Sequence, residues 1–154
     1  MMDTLDMFIE AKAVQTHPLR FLAPTDSIMS LKSEAAAFGG LASALSLLAH
    51  KLPVRVTIRQ ALVFAVIAER AAMGHDITIA EIRADQGKDA SGGDLLGQSI
   101  GRSYQVFLEP TKREPDGLGW VRVEADEDDN RRKLLRLTPR GEAFAAELAK
   151  ALKT

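Results

Sequence analysis

The chain has 154 residues and a mass of 16.7 kDa, which fits one domain or one compact subunit. It is 46% apolar and 27% charged, with a net charge of −1, and it has no cysteine, which excludes disulfides, thiolate metal sites and cysteine catalysis. The longest apolar run, Ala61–Ala68, is far too short for a membrane span, and the acidic start does not resemble a secretory signal. We therefore expect a cytoplasmic protein with no membrane partner.

The first part of the sequence predicts two helices. A short one is expected over residues 3–17, where Pro18 ends it because proline biases the preceding residue away from helical angles. A longer amphipathic helix is expected over residues 31–52. Its apolar residues recur at spacings of three and four: Leu31, Ala35, Phe38, Ala42, Leu45, Leu48, Ala49 and Leu52. Gly39 and Gly40 inside it predict a close helix crossing or a kink.

Two capping boxes mark the starts of the next helices, at Thr57–Gln60 and Thr78–Glu81. The first of these helices, Ile58–Ala72, is apolar nearly all round, so we expect it in the middle of the fold. A short strand at Asp76–Ile77 is predicted before the second helix, which is short. A polar, glycine-containing loop over residues 86–93 follows it.

A third helix is predicted after this loop, with Ser91 as its cap and Pro110 as its end. Its apolar stripe would contain Leu96, Ile100, Tyr104, Phe107 and Leu108. Its opposite side would present Gln98, Ser99, Arg102 and Gln105, with Gly97 and Gly101 leaving room for close approach. A helix with a half-polar face can enter the major groove of DNA, which is about 12 Å wide. This segment is therefore a candidate recognition helix.

The apolar spacing then changes to the alternation that is typical of strands. Residues 120–124 and 133–137 alternate in this way around a polar turn at 126–130, which predicts a β-hairpin. Thr138 and Pro139 then cap a last helix, with proline at its first position. The order helix, short helix, loop, helix, hairpin, helix is that of a winged helix-turn-helix.

The hairpin and its exit carry a resemblance to a known family. Residues 129–131 (Asp-Asn-Arg) and 137–141 (Leu-Thr-Pro-Arg-Gly) resemble the wing and exit signature of MarR-type transcriptional regulators. That signature reads Asp-x-Arg, a short apolar strand, then Leu-Thr-Pro-Lys/Arg-Gly. Residues 98–103 (Gln-Ser-Ile-Gly-Arg-Ser) are similar to that family's recognition helix, which often reads Gln-Ser-Thr-Val-Ser-Arg. The resemblance covers residues 57–141 and extends to the helices on either side.

The resemblance implies a mainly α fold with a small β-hairpin, a winged helix-turn-helix flanked by N- and C-terminal dimerisation helices. Residues 1–56 would form N-terminal dimerisation helices, 57–137 the DNA-binding lobe, and 138–154 the C-terminal dimerisation helix, all in one compact subunit. It also implies a homodimer that binds palindromic double-stranded DNA, controls transcription and in many members responds to a small-molecule effector. The segments 86–93 and 109–118 are longer than the family needs.

The same resemblance assigns candidate DNA contacts. Arg131 would enter the minor groove and Asp129 would brace it, while we expect Arg102 to reach a base edge. The recognition-helix contacts would be Gln98, Ser99, Arg102, Ser103 and Gln105. The wing and its flanks would contribute Lys112, Arg113, Arg131, Arg132 and Lys133.

Other functions are weighed against this one. The hairpin turn is acidic for a surface that faces phosphate, with Glu124, Asp126, Glu127, Asp128 and Asp129. The alternative is therefore a winged-helix protein–protein interaction module that does not bind DNA. We expect no enzyme, metal or organic cofactor, because no nucleophile–base set is evident and the histidines are widely spaced. Trp120 and Tyr104 are expected to pack in the core rather than stack on bases.

Overall fold

The computed structural model describes residues 31–97 and 100–153. The chain divides into two units, residues 1–34 and residues 35–154, and all the elements named below belong to the second. The short helix predicted over residues 3–17 lies outside the described residues.

Within the described residues, the second unit contains five α-helices, one 3-10 turn and three strands. In chain order they are α1 (Ala35–Lys51), α2 (Ile58–Ala72), β1 (Ile77–Thr78), α3 (Ile79–Gln86), α4 (Ile100–Ser103), the 3-10 turn (Gln105–Phe107), β2 (Val121–Ala125), β3 (Lys133–Leu137) and α5 (Pro139–Ala151). The strands form one antiparallel sheet in the order β1-β3-β2, and β2 with β3 is the predicted hairpin. This helix-rich arrangement with a small sheet is compatible with a winged helix.

Both predicted capping boxes are present. At the start of α2, the Gln60 N–H donates to the Thr57 hydroxyl (3.3 Å) and the Thr57 N–H donates to Gln60 Oε1 (2.9 Å). At the start of α3, Glu81 and Thr78 make the same reciprocal pair, at 3.2 and 2.7 Å. These local bonds satisfy donors that have no partner inside the helix, so both helix starts follow directly from the sequence.

Four aromatic side chains hold the core together. Phe64 of α2 lies 5.4 Å from Phe107 and 5.1 Å from Trp120, measured between ring centroids. Trp120, which is 4% exposed, stacks on Phe144 of α5 at 3.9 Å. Tyr104 packs against the edge of this core. The expectation that Trp120 and Tyr104 serve packing is therefore confirmed.

A compact joint connects the hairpin to α5. The Thr138 N–H donates to the Trp120 carbonyl (3.0 Å), and the Thr138 hydroxyl donates to the Gly119 carbonyl (2.6 Å). The same hydroxyl accepts from the Gly141 N–H (3.1 Å), which caps the helix. A Cβ atom on Gly141 would lie 1.9 Å from the Trp120 carbonyl oxygen, so only glycine allows α5 to begin this close to the strand.

Helix α1 packs on α5 at the glycine pair that the sequence singled out. A Cβ atom on Gly40 would lie 2.2 Å from the carbonyl oxygen of Leu152, whereas one on Gly39 would meet nothing within 4 Å. The predicted close crossing is therefore at Gly40. The apolar stripe of α1 is only partly covered in the single chain, since Phe38 is 56% and Leu45 is 44% exposed.

The prediction of one continuous third helix is wrong. In the described residues Ser91 lies in a turn, and only α4 and the 3-10 turn are helical before Pro110. Gly92 and Gly97 have positive φ angles of 82° and 66°, which interrupt a right-handed helix. The carboxylate of Asp89 accepts N–H groups of this loop and so favours a turn.

Candidate nucleic-acid interface

The turn that joins β2 to β3 is built by its own acidic side chains. Asp126 Oδ1 accepts the N–H of Asp128, and Asp129 Oδ1 accepts the N–H of Arg131, both at 3.0 Å. The Arg132 N–H donates to the Asp129 carbonyl (2.8 Å), and the Asp126 N–H donates to the Arg132 carbonyl (3.1 Å). These carboxylates therefore fix the backbone that carries the cations.

The three cations predicted for the wing differ in their surroundings. The Arg132 guanidinium pairs with Glu81 Oε1 at the start of α3 (3.3 Å) and with Asp126 Oδ2 (3.4 Å). Arg131 and Lys133 are exposed, and within the described ranges no carboxylate lies at ion-pair distance from either of them. Arg132 thus fastens the hairpin to α3, while Arg131 and Lys133 can meet an external anion.

The outer face of the sheet carries an ion-pair network that the sequence did not predict. Arg136 contacts both oxygens of Asp76, at 2.8 and 2.7 Å, and Glu124 Oε2 at 2.6 Å. Arg122 pairs with the other oxygen of Glu124 at 2.7 Å. The hydrogen bond from Arg136 lowers the pKa of Asp76, and the same bond raises the pKa of Arg136. Glu124 is therefore neutralised by neighbouring arginines.

The predicted recognition-helix contacts are only partly described. Gln98 and Ser99 lie outside the described residues. Arg102 is exposed and Ser103 is half-buried in α4, and Gln105 is exposed at the start of the 3-10 turn. The structure places these three on one short turn of chain, separate in sequence from the hairpin cations.

Arg102 and Gln105 line a polar depression of about 240 Å³. Its lining residues come from the segment before α2, the first turn of α2, α4, the 3-10 turn and the segment 109–118: Arg55, Val56, Gln60, Arg102, Gln105, Val106 and Glu114. Arg55 bonds Glu114 and also lies 3.4 Å from Asp116 Oδ2. Sequence reasoning missed Arg55, Gln60 and Glu114 as site residues, because tertiary packing joins positions 59 residues apart and no local pattern marks them.

Lys112 and Arg113, predicted as flanking contacts, lie exposed in the segment 109–118. The Thr111 N–H donates to the Glu114 carbonyl (2.9 Å), which closes a turn around the two cations. The bond between Glu114 and Arg55 fixes this turn to the residues before α2. The segment therefore has a defined position rather than forming a free loop.

An apolar cavity of about 550 Å³ lies between α2 and α5. Alanines dominate its lining: Ala65, Ala68, Ala71, Ala72, Ala145, Ala146 and Ala149. Leu137, Leu148 and Leu152 complete the apolar wall, and two carboxylates, Glu69 and Glu142, also border it. This lining suits an apolar ligand, which could carry a small cationic group next to the two glutamates.

The described ranges hold no group of three or more histidine, aspartate or glutamate side chains arranged to bind a metal ion. None of the helices in the part of the chain that the structure describes is both long and apolar enough to cross a bilayer.

Comparisons with known proteins add one similarity. No protein-family model matches the chain, and curated proteins give no significant match. Among solved structures, it is similar to a crystal structure from Pseudomonas aeruginosa described as a probable transcriptional regulator. The identity is 19% and the TM-score is 0.41, and the match covers 81% of this chain and 76% of that one. The function proposed below therefore rests on the contacts within this chain.

Proposed function

We propose that this chain is a transcriptional regulator of the MarR type, without enzymatic activity, that binds double-stranded DNA as a homodimer. In this proposal α3 and α4 form the helical part of the DNA-binding lobe, and the β2–β3 hairpin forms its wing. The residues that the sequence assigned to DNA keep this role as part of the proposal, except that Arg132 serves mainly to fasten the wing.

The observation that carries the proposal is the exposed Arg131 on a fixed turn. Asp129 holds its main-chain N–H, and Arg132 fastens the same turn to Glu81 of α3. A protruding guanidinium with no internal carboxylate partner among the described residues suits phosphate oxygens or the floor of a minor groove. Lys133 adds a second cation at the neighbouring position.

The proposal is tested by titrating labelled duplex DNA with wild-type protein and with Arg131→Ala, at two salt concentrations. We expect the variant to bind every duplex more weakly, with the slope of log K against log salt reduced by about one unit. Lys51→Ala, at the end of α1, removes a cation far from the hairpin in sequence and is the matched control. Equal binding by wild type and Arg131→Ala would contradict the assigned wing.

The homodimer is supported by exposed apolar side chains on α1 and after α5. They are Phe38, Leu41, Leu45 and Leu152. In a stable dimer, the interface that covers them is expected to bury more than about 1,000 Å² of accessible surface. The apolar cavity between α2 and α5 is the proposed place for a small-molecule effector.

A second candidate is a winged-helix protein–protein interaction module. The acidic charge of the hairpin turn favours this interaction module. Among the described residues, no cation forms an ion pair with Glu127, Asp128 or Asp129. Their negative charges therefore partly offset the positive charges of Arg131 and Lys133. A mobility shift with random duplex DNA separates the two candidates. Absence of any shift for the wild type would favour the interaction module.

A further inference from the structure

The polar depression beside α4 combines four donor side chains from different elements of the chain. Arg55 precedes α2, Arg102 belongs to α4, and Gln105 begins the 3-10 turn. Gln60 completes the set from the first turn of α2. Two guanidinium groups and two amides border about 240 Å³ of open space, which is enough room for a small anion.

The donors differ in how many bonds they already make to other groups of the protein. Gln60 uses its Oε1 atom to accept from Thr57, which leaves its Nε2 group without a hydrogen bond already given to Thr57, and the residue lines the depression. Within the described ranges, no carboxylate lies at ion-pair distance from Arg102. Arg55 is different, because Glu114 and Asp116 already neutralise it.

Glu114 therefore occupies the place that an external anion would take. Its side chain is 22% exposed and it lines the same depression as the two arginines. A carboxylate and a phosphate present similar pairs of oxygens to a guanidinium fork. A backbone phosphodiester presents two free oxygens and a phosphate monoester three, so one phosphate group can accept from Arg55 and Arg102 together, which a single carboxylate on Arg55 does not do here.

We propose that this depression is a phosphate-binding site, with Arg55, Arg102, Gln60 and Gln105 as donors and Glu114 as an internal anion that competes for Arg55. Binding exchanges the Arg55–Glu114 ion pair for bonds from Arg55 and Arg102 to one phosphate group. If the proposed DNA-binding function holds, the phosphate belongs to the DNA backbone. Arg102 then contacts the backbone and does not read a base edge. A free phosphate compound is the other source of the same chemistry.

The DNA source is tested by titrating a selected operator and a random duplex with Arg55→Ala, Arg102→Ala and Glu114→Gln. We expect each arginine variant to bind both duplexes about tenfold more weakly, with the salt slope reduced by about one unit. Glu114→Gln can still accept a bond from Arg55 but competes less, so we expect about three- to tenfold tighter binding on both duplexes. Lys51→Ala and Glu147→Gln, on exposed parts of α1 and α5, should match the wild type.

The free-phosphate source is tested by the melting temperature in inorganic phosphate, compared with chloride at the same ionic strength. Phosphate should raise the melting temperature of the wild type and leave the Arg55→Ala, Arg102→Ala double variant unchanged. If Arg55→Ala does not fold, Arg55→Lys replaces it, since lysine keeps the charge and loses the forked geometry.

The outcomes separate this proposal from the proposed function. Weaker binding by the arginine variants on both duplexes supports the site, and a loss confined to the selected operator for Arg102→Ala would overturn the backbone role. A wild type that binds no DNA refutes the proposed function, and the phosphate melting series then decides the site alone. The site is refuted if the arginine variants bind DNA like Lys51→Ala and phosphate stabilises wild type and double variant equally.

Discussion

The carboxylates of the hairpin turn hold its backbone in place by hydrogen bonds, and they also make the turn acidic. From the sequence, this acidic stretch looked unfavourable for contact with phosphate. In the structure Asp126 and Asp129 each accept a main-chain N–H, and Asp126 also pairs with Arg132. The negative charge of these residues is therefore only part of their effect on DNA binding, because the same carboxylate atoms also fix the position of Arg131.

Asp129→Ala and Asp129→Asn separate these two effects. Alanine removes the acceptor for the Arg131 N–H, so we expect DNA affinity to fall about fivefold, the equivalent of roughly 1 kcal/mol. Asparagine keeps an oxygen acceptor and removes the negative charge, so it should bind at least as tightly as the wild type. Fluorescence anisotropy with one duplex measures both. Tighter binding by Asp129→Ala would mean that the carboxylate merely repels phosphate.

Glu81 gives a prediction about pH. Its pKa lies below the ordinary value of 4.5, mainly because the main-chain N–H and the hydroxyl of Thr78 donate to the carboxylate. A pKa lowered by folding means that the charged form contributes stability that is full above pH 4.5 and is lost as the pH falls through the lowered value.

Glu81→Gln should therefore be less stable than the wild type by about 0.5–1 kcal/mol near neutral pH. The difference should shrink as the pH falls below 4.5 and through the lowered pKa of Glu81, where the carboxyl of the folded wild type becomes protonated. Urea denaturation across that range measures the difference. Glu127→Gln, in the exposed hairpin turn, controls for the loss of one negative charge. A difference that stays constant with pH would show that the carboxylate charge adds nothing to this cap.

The helices show which parts of the fold can be predicted from local sequence. Capping boxes, the proline at the start of α5 and the alternation in β2 and β3 all depend on residues within a few positions of each other, and all are present. Apolar periodicity alone predicts one continuous third helix, and that prediction is wrong because the positive-φ glycines and Asp89 favour a turn. The depression was missed because Arg55 and Glu114 meet only after the chain has folded.

Gly39 and Gly40 test the packing of α1 on α5 with two adjacent residues. Gly40→Ala would place a Cβ atom 2.2 Å from the Leu152 carbonyl oxygen, so we expect a loss of about 1–3 kcal/mol in the free energy of unfolding. Gly39→Ala meets nothing within 4 Å and should gain about 0.5–1 kcal/mol, because alanine is the better helix former. Denaturation at one fixed protein concentration compares them. Similar effects at both positions would argue against this helix contact.

Self-association is the main prediction for the molecule as a whole. If α1 lies in a homodimer interface, Leu41→Glu buries an unpaired charge there and should shift the protein from a dimer to the 16.7 kDa monomer. Sedimentation velocity at micromolar concentration measures the change, with circular dichroism to confirm that the variant is folded. Ala80→Glu, at an exposed position of α3, adds the same charge and should leave the mass unchanged. A wild type that sediments as a monomer would refute the homodimer.

The joint between hairpin and helix has a mechanical consequence. Thr138 is the single residue between the end of β3 and the start of α5, and its side chain and N–H are both bonded to the chain that enters β2. Because only one residue separates the two elements and it is bonded to the chain that enters β2, a rotation of α5 is coupled to the orientation of the hairpin. In a dimer that packs through α1 and α5, the angle between the two α5 helices would then set the separation of the two Arg131 side chains. A ligand that binds between α2 and α5 and moves α5 away would therefore change the distance between the two Arg131 side chains.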